Sequence, residues 1–183
     1  VTIEPQRYFT ERIVGDKFII NSIVPSGQSP ETYDPTPQQM IQIGKSLAYF
    51  QIGFIGFEQA WMDNIKKNNP NLEVFDLSEN MQLLQSPEIE ECEHGEGEHH
   101  HHEGPDPHIW NSISGAKTIA ANILKALQTL DKENSDYYQK NYEELLVEID
   151  STAQTIKQSL QNIPSKTFII YHPALTYFAA ENG

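Results

Sequence analysis

Residues 135–162 read SDYYQKNYEELLVEIDSTAQTIKQSLQN. Apolar side chains recur here every three or four positions, and this spacing predicts one uninterrupted helix with a single apolar face. The apolar positions are Tyr138, Tyr142, Leu145, Ile149, Ala153, Ile156, Leu160 and, just beyond the stretch, Ile163. At 1.5 Å per residue the helix would span roughly 40 Å, which is more than a small domain needs and is typical of a strut between two lobes.

Short apolar runs and helical spacings alternate on both sides of this helix. Strands are predicted at residues 1–3, 18–24, 48–52, 73–77 and 168–171. Helices are predicted at residues 6–14, 37–47 and 57–67, from a cap at Ser112 or Ser114 to Leu130, and from Ala174 onward. Strands separated by helices predict an α/β fold with a parallel sheet flanked by helices, whose ligands bind at the carboxyl ends of the strands.

The same pattern divides the chain into three parts. Residues 1–131 are expected to form an N-terminal α/β lobe, residues 132–163 a long linking helix, and residues 164–183 the first strand and helix of a second lobe. The chain opens at Val1 without a methionine, and Gly183 follows a predicted helix that is only in its second or third turn. We therefore expect the sequence to be a piece of a larger protein.

The composition limits the partners that the chain can have. With 183 residues, of which 38% are hydrophobic, it can bury a core of its own. Its formal net charge of −14 argues against a nucleic acid partner, whose phosphates it would repel, and favours cations. No apolar run is long enough to span a bilayer. The single cysteine, Cys92, excludes an internal disulfide bond and a four-cysteine zinc cluster.

Residues 90–110 read EECEHGEGEHHHHEGPDPHIW and contain six of the seven histidines. Imidazole and carboxylate groups bind zinc and similar ions, and residues 88–105 are too polar to fold alone, so we predict an acidic His-rich loop. An auxiliary, low-affinity metal site is predicted at His94, His99, His100, His101 and His102, which Cys92 could join as a thiolate. The alternative is a solvated polar tract with weak and unselective metal affinity.

Three residues are candidate ligands because they follow predicted strands or the acidic loop: Glu31, His108 and His172. Zinc takes four N, O or S donors, commonly from separate elements, so three scattered donors leave one position open. Each candidate also has a purely structural alternative. Glu31 could be a solvated loop carboxylate, His108 a helix-start residue bonded to Asp106, and His172 a buried histidine bonded to a backbone carbonyl.

Three segments carry a family resemblance: VPSGQSPETYDPTP at 24–37, DPHIWNSISGAKTIA at 106–120 and FIIYHPALTYFA at 168–179. The chain resembles, from Val1 to Gly183, the zinc- and manganese-binding solute-binding proteins of bacterial ABC importers, most closely their zinc-uptake branch. The resemblance implies that His108 and His172 are the second and third metal ligands and that the loop ahead of His108 is the His-rich loop of that branch.

Two departures from the family pattern bear on the metal. Where the family usually has its first ligand histidine, this sequence has Glu31, and an anionic oxygen moves the site toward harder ions such as Mn²⁺. The usual fourth ligand is a carboxylate of a C-terminal lobe, which would lie beyond Gly183. Three aromatic residues near the candidates are expected to form walls of the cleft: Tyr33, Trp110 and Tyr177.

The resemblance implies an extracytoplasmic component of an ABC transporter that captures Zn²⁺, with Mn²⁺ as the alternative, and delivers it to a membrane permease. The expected location is the periplasm or another extracytoplasmic site, with a lipid anchor upstream of Val1 left open. A His-rich zinc buffer or metal chaperone is one alternative, and an adhesin of the same fold is another. An enzyme is not expected, because the sequence has no HEXXH helix, no Gly-X-Ser-X-Gly elbow and no phosphate-binding glycine loop.

Overall fold

The computed structural model describes residues 1–86 and 104–183, in which helices alternate with short strands. The elements in chain order are α1 (Glu4–Val14), α2 (Pro37–Gly44), β1 (Ala48–Gln51), α3 (Gly56–Asn68), β2 (Glu73–Asp76), α4 (Ile113–Leu130), α5 (Ser135–Leu160) and α6 (Thr176–Asn182). Two short 3₁₀ turns, Ile109–Asn111 and Lys132–Asn134, precede α4 and α5. Within these two ranges no helix has both the length and the apolar character needed to cross a membrane.

The sheet of the described residues consists of β1 and β2, which run parallel with Ala48 opposite Glu73 and Gln51 opposite Asp76. A parallel pair needs a crossover connection, and α3 supplies it. The predicted α/β fold with a parallel sheet flanked by helices is therefore confirmed. The carboxyl ends of both strands lie at the same edge of the sheet, so the turn after β1 and the loop after β2 share that edge.

Local capping explains where two of the helices begin. The Gln6 side chain accepts hydrogen bonds from the N–H groups of Thr2 at 2.9 Å and Ile3 at 3.0 Å, and thus satisfies amides that precede α1. Thr36 caps α2, as the sequence predicts, because its hydroxyl oxygen accepts the Gln39 N–H at 3.3 Å.

The core lies where α4 packs against α1, α5 and the end of β2. Its fully buried side chains come from segments between α1 and α5 and include Ile13, Ile52, Ile65, Leu77, Ile109, Ile119, Ile123 and Leu145. The helical spacing of apolar residues along α4 places one face of this helix in the core. Burial of these aliphatic side chains is the main term that stabilises the fold.

The long helix predicted from residues 135–162 is confirmed as α5, whose 26 residues extend roughly 39 Å. Its first half packs on the body of the fold through Tyr138, Leu145 and Ile149, which are buried. The apolar stripe continues through Ile156, which is only half-buried. The described body of the protein therefore covers the first half of this helix more completely than the second.

The strands predicted at 1–3 and 18–24 are wrong. Ile23 and Val24 donate backbone hydrogen bonds to Val1 at 3.1 Å and Thr2 at 2.9 Å, but the pairing goes no further as a regular ladder. The Ile19 side chain is 89% exposed. An apolar, β-branched run forms a strand only where a neighbouring strand completes its ladder.

The strand predicted at 168–171 is also wrong. Residues 165–170 form neither a strand nor a helix, and Ile169 is 98% exposed. The same physical reason applies, since the local sequence favours a strand but no adjacent strand of the described residues pairs with it. The division of the chain into a lobe, a linking helix and the start of a second lobe stays a prediction.

Candidate metal site

His108 is held at the start of the segment that leads into α4. It lies between Pro107 and the 3₁₀ turn Ile109–Asn111, and the Ile109 side chain is fully buried beside it. Gly115, in the first turn of α4, is required here because a Cβ atom would lie 1.8 Å from the Ile109 carbonyl oxygen. The backbone that carries His108 is therefore tightly packed, and the side chain itself is only 11% exposed.

Asp106 fixes the orientation of the His108 ring. Its Oδ1 atom lies 2.7 Å from His108 Nδ1 and also accepts the His108 backbone N–H at 2.8 Å. Burial acts to raise the pKa of the Asp106 carboxyl, but hydrogen bonds from His108 and Thr176 outweigh it and hold that pKa below its usual range. An ionised carboxylate can only accept, so Nδ1 of His108 must donate, which leaves its Nε2 lone pair available to a metal.

His172 completes a pair with His108. Its Nε2 atom lies 3.0 Å from His108 Nε2, and the two ring centroids are 4.9 Å apart with an interplanar angle of 75°. The side chain is exposed, so the alternative of a buried structural histidine is wrong. Two nitrogens bound to one tetrahedral zinc at 2.0–2.1 Å are about 3.3 Å apart, so the observed separation is close to what zinc requires.

Glu31 lies at the amino-terminal end of α3. Its Oε2 atom accepts the backbone N–H of Gly56 at 2.9 Å. Gly56 is required at this position because a Cβ atom would lie 2.5 Å from the Glu31 carbonyl oxygen. In residues 1–86 and 104–183, no three His, Cys, Asp or Glu side chains form one group suited to a metal ion. The structure thus brings His108 and His172 together but does not add Glu31 to them as a third donor.

A buried carboxyl group supports the turn that leads to Gly56. Glu58, 3% exposed, accepts the Ile52 N–H at 3.0 Å, and the Thr2 hydroxyl donates to its other oxygen. Burial raises the pKa of Glu58 to about 7, although these hydrogen bonds act in the opposite direction. Glu58 therefore ties the end of β1 to the first turn of α3, where the Gly56 N–H binds Glu31.

The three predicted cleft walls have different surroundings. Trp110 packs edge-on against His108, with ring centroids 5.2 Å apart. The Tyr33 hydroxyl donates to Gln39 Oε1 at 3.0 Å. Tyr177 is buried, and its hydroxyl donates to the Asp106 carbonyl oxygen at 2.8 Å. Burial also raises the pKa of Tyr177, which keeps this hydroxyl protonated and able to donate.

The acidic His-rich loop predicted at 88–105 falls mostly outside the described residues, as do His94, His99, His100, His101, His102 and Cys92. The chain on either side of it is described. Gln85 and Pro105 form an antiparallel bridge, and the Asp106 N–H donates to the Leu84 carbonyl oxygen at 2.8 Å. The two ends of the loop are thus held side by side next to the segment that carries His108.

Sequence reasoning found both histidines but missed what orients them. The sequence suggests the contact between His108 and Asp106 only as an alternative to metal binding, whereas the structure makes it the contact that directs Nε2 of His108 outward. The signal was present as Asp-Pro-His at 106–108, a carboxylate two residues before an imidazole. Nothing local in the sequence indicated the long-range contacts of Tyr177 or Glu58.

Comparison with known proteins places this geometry in a family. The whole chain, residues 1–183, matches the family described as zinc-uptake complex component A, periplasmic (ZnuA). The chain belongs to this family. It is 29% identical over 184 residues to the high-affinity zinc uptake system protein ZnuA of Bacillus subtilis, an alignment that covers 100% of this chain and 57% of that protein.

Another relative is named for a different metal. The chain is 30% identical over 182 residues to the manganese ABC transporter substrate-binding lipoprotein PsaA of Streptococcus pneumoniae, covering 95% of this chain and 55% of that protein. A crystal structure of a zinc-bound ZnuA deletion mutant superposes with a TM-score of 0.88 at 35% identity, covering 99% of this chain and 65% of that one. The chain spans about half the length of the curated relatives it matches.

Proposed function

We propose that this chain is part of an extracytoplasmic metal-binding component of an ABC importer, which captures Zn²⁺ and delivers it to a membrane permease. The observation that carries the proposal is the pair of Nε2 atoms of His108 and His172 at 3.0 Å, with Asp106 bonded to the far side of the His108 ring. That arrangement supports zinc binding because it presents two nitrogen donors at nearly the required separation.

Capture needs no covalent step. In the metal-free pair the His108 Nε2 atom is an acceptor, so the hydrogen between the two rings belongs to His172. When a cation arrives, the hydrogen on His172 Nε2 passes to solvent and the ring takes up a hydrogen at Nδ1 instead. Both Nε2 lone pairs then face the cation, and no net proton is released. The net charge of −14 favours the approach of a cation over that of an anion.

The remaining donors would come from outside this pair. Zinc needs four donors, and the described residues offer no third side chain grouped with the two histidines. Glu31 could join after a local shift of its loop, and the family resemblance adds a carboxylate from a second lobe. An oxygen-rich completion of this kind also suits Mn²⁺, which is the metal named for PsaA.

The proposal further includes a role without catalysis and a location outside the cytoplasm. It agrees with relatives that are named as uptake proteins and substrate-binding lipoproteins. The same similarity to these relatives is the reason for including a permease as partner and a lipid anchor in the proposal. The competing function is storage of zinc by the His-rich loop. Deletion of that loop separates the two functions.

The test is a zinc titration of a variant that lacks residues 91–103. This deletion leaves Gly104, whose carbonyl oxygen accepts the Ser86 N–H at 3.3 Å, and leaves the bridge between Gln85 and Pro105 closed by a short connection. Only two of the seven histidines then remain, His108 and His172. Every imidazole signal in an NMR spectrum therefore comes from the proposed site.

We expect stoichiometric zinc binding that shifts both imidazole signals and is lost in His108→Ala and in His172→Ala. Gln128→Ala, on the far part of α4, is the matched control and should bind zinc like the parent variant. The proposal would be overturned if the deletion variant is folded but no longer binds zinc, and if zinc leaves its two imidazole signals unchanged. That result would assign metal binding to the loop.

A further inference from the structure

The turn that carries His172 and the helix α6 that follows it are held by polar contacts to the segment that carries His108. Asn111 Nδ2 donates to the Ala174 carbonyl oxygen at 2.8 Å. The buried Tyr177 hydroxyl donates to the Asp106 carbonyl oxygen at 2.8 Å and accepts the Leu84 N–H at 3.1 Å. These contacts join residues that lie far apart in the sequence.

Glu181, near the end of α6, caps a different helix. Its two carboxylate oxygens accept the backbone N–H groups of Ile113 and Ser114, each at 2.8 Å, in the first turn of α4. The next amide, that of Gly115, donates to the Ser112 hydroxyl oxygen at 3.0 Å. The first three amides of an 18-residue helix are thus satisfied, two of them by a negative charge at the positive end of the helix dipole.

The chain on the other side of His172 contributes less to its position. Ile169 and Tyr171 are almost entirely exposed, and residues 165–170 are not paired as a strand. The backbone of an exposed turn is positioned by the packed residues next to it. The packed side is the downstream side, where Tyr177 is 3% exposed.

We propose that Tyr177 and Glu181 are positioning residues of the metal site, which clamp α6 to the start of α4 and thereby hold His172 beside His108. This inference rests on the proposed function and deepens it. The geometry of the histidine pair then depends on contacts of two residues that lie five and nine positions after His172. Undocking of α6 then separates the two ligands, so a small local movement suffices to release the metal.

The clamp can be tested with the variant that lacks residues 91–103. We expect Glu181→Ala to weaken zinc affinity about ten-fold, because a charged, two-point contact is lost. Tyr177→Phe should weaken it a few-fold through the loss of one hydroxyl. Glu181→Gln should recover part of the loss, because its amide oxygen can still accept one of the two N–H groups. Glu79→Ala, which removes an exposed carboxylate paired with Lys125, is the matched control and should leave the affinity unchanged.

A variant that is destabilised elsewhere separates positioning from general stability. Asp131→Ala removes the hydrogen bonds that Asp131 accepts from Asn134 and Tyr138 at the far end of α4, so it should lower the free energy of unfolding without changing zinc affinity. An equal loss of zinc affinity in Asp131→Ala and Glu181→Ala would show that the effect comes from general stability. That result, or unchanged affinity in Glu181→Ala, would overturn the clamp while leaving zinc binding by the parent variant intact.

A measurement without metal covers the case in which the variants bind too weakly to titrate. The NMR spectrum of the two imidazoles in Glu181→Gln and Tyr177→Phe should show the His172 ring moving toward the shifts of an isolated imidazole, while the His108 ring keeps its bond to Asp106. Unmoved His172 signals in both variants would overturn the proposal. Failure of the parent variant to bind zinc would instead contradict the proposed function.

Discussion

The Nε2 atoms of His108 and His172 face each other at 3.0 Å although 64 residues separate the two histidines in the chain. The intervening chain is mostly α4 and α5, which pack against each other as a helical hairpin. A hairpin of two stiff helices returns the chain to the side from which it started. The pair therefore depends on the helical scaffold as well as on its own local contacts.

Replacement of Asp106 by Asn should weaken metal binding without removing a ligand. The neutral amide is a poorer acceptor for His108 Nδ1–H, so the ring loses the contact that directs its Nε2 lone pair outward. We expect zinc affinity to fall by about 10- to 100-fold in a calorimetric titration. Asp131→Asn is the control, since Asp131 accepts a hydrogen bond from Tyr138 remote from the site. Equal affinities for the two variants would contradict this role of Asp106.

Glu58 should make the stability of the fold fall as the pH rises. The pKa of its carboxyl is about 7 in the folded chain, whereas the ordinary value of a glutamate is 4.5, so the folded state binds more protons between these two pH values. Stability is then fully present below about pH 4.5 and declines until about pH 7, by roughly 3 kcal/mol. The half-buried Val1 amine, whose pKa is lowered to about 5 by desolvation, acts in the opposite direction, because its contribution to stability is lost as the pH falls.

The variant Glu58→Gln, whose side chain cannot ionise, separates the contribution of Glu58 to the pH dependence of stability from that of the Val1 amine. Urea unfolding from pH 4.5 to 8 should show a free energy of unfolding that decreases less with pH in Glu58→Gln than in the parent chain. The Val1 contribution is common to both and cancels in the comparison. Glu144→Gln, on the exposed face of α5, should follow the parent curve. Parallel curves for Glu58→Gln and the parent would show that Glu58 is ionised throughout.

The residue at position 31 should influence metal preference. Glu31→His replaces an anionic oxygen donor with a neutral nitrogen, and we expect the ratio of zinc to manganese affinity to rise about ten-fold or more. Glu31→Gln keeps an acceptor for the Gly56 N–H but removes the charge, so manganese binding should weaken more than zinc binding. Competition titrations with the two ions measure the ratio. A ratio that is the same in all three proteins would show that Glu31 does not contact the metal.

Substitution of Gly56 by Ala should strain the contact with the Glu31 loop. The added Cβ would lie 2.5 Å from the Glu31 carbonyl oxygen, and backbone atoms cannot move aside cheaply. We expect a loss of about 1–3 kcal/mol in the free energy of unfolding. Gly44→Ala is the comparison, because the only atoms near its Cβ belong to the movable Asn69 side chain. Equal stabilities of the two variants would show that the loop shifts freely.

Patterns confined to one segment predicted the fold well. The spacing of apolar residues located α4 and α5, and Thr36 with Pro37 marked the start of α2. The strands at 18–24 and 168–171 failed because a strand depends on a neighbour that the local sequence does not reveal. Propensity shows what a segment favours, whereas pairing depends on the rest of the protein.

The same distinction applies to the site. His108 and His172 could be found because each stands in a short, recognisable segment, and their separation of 3.0 Å agrees with a common role. The contacts of Tyr177 and Glu181 could not be found, because they join α6 to residues 67 or more positions earlier and leave no periodic trace. Glu31 was placed correctly in its loop, but its bond to Gly56 depends on how that loop meets α3.

The antiparallel bridge between Gln85 and Pro105 also bears on how the sequence can change over time. Because the two flanking residues are tied to each other, residues can be added or removed between them without shifting His108. Connecting segments tolerate insertions and deletions better than the elements that they connect. We therefore expect that a change in the number of histidines and carboxylates between these two residues leaves the geometry of the histidine pair unchanged.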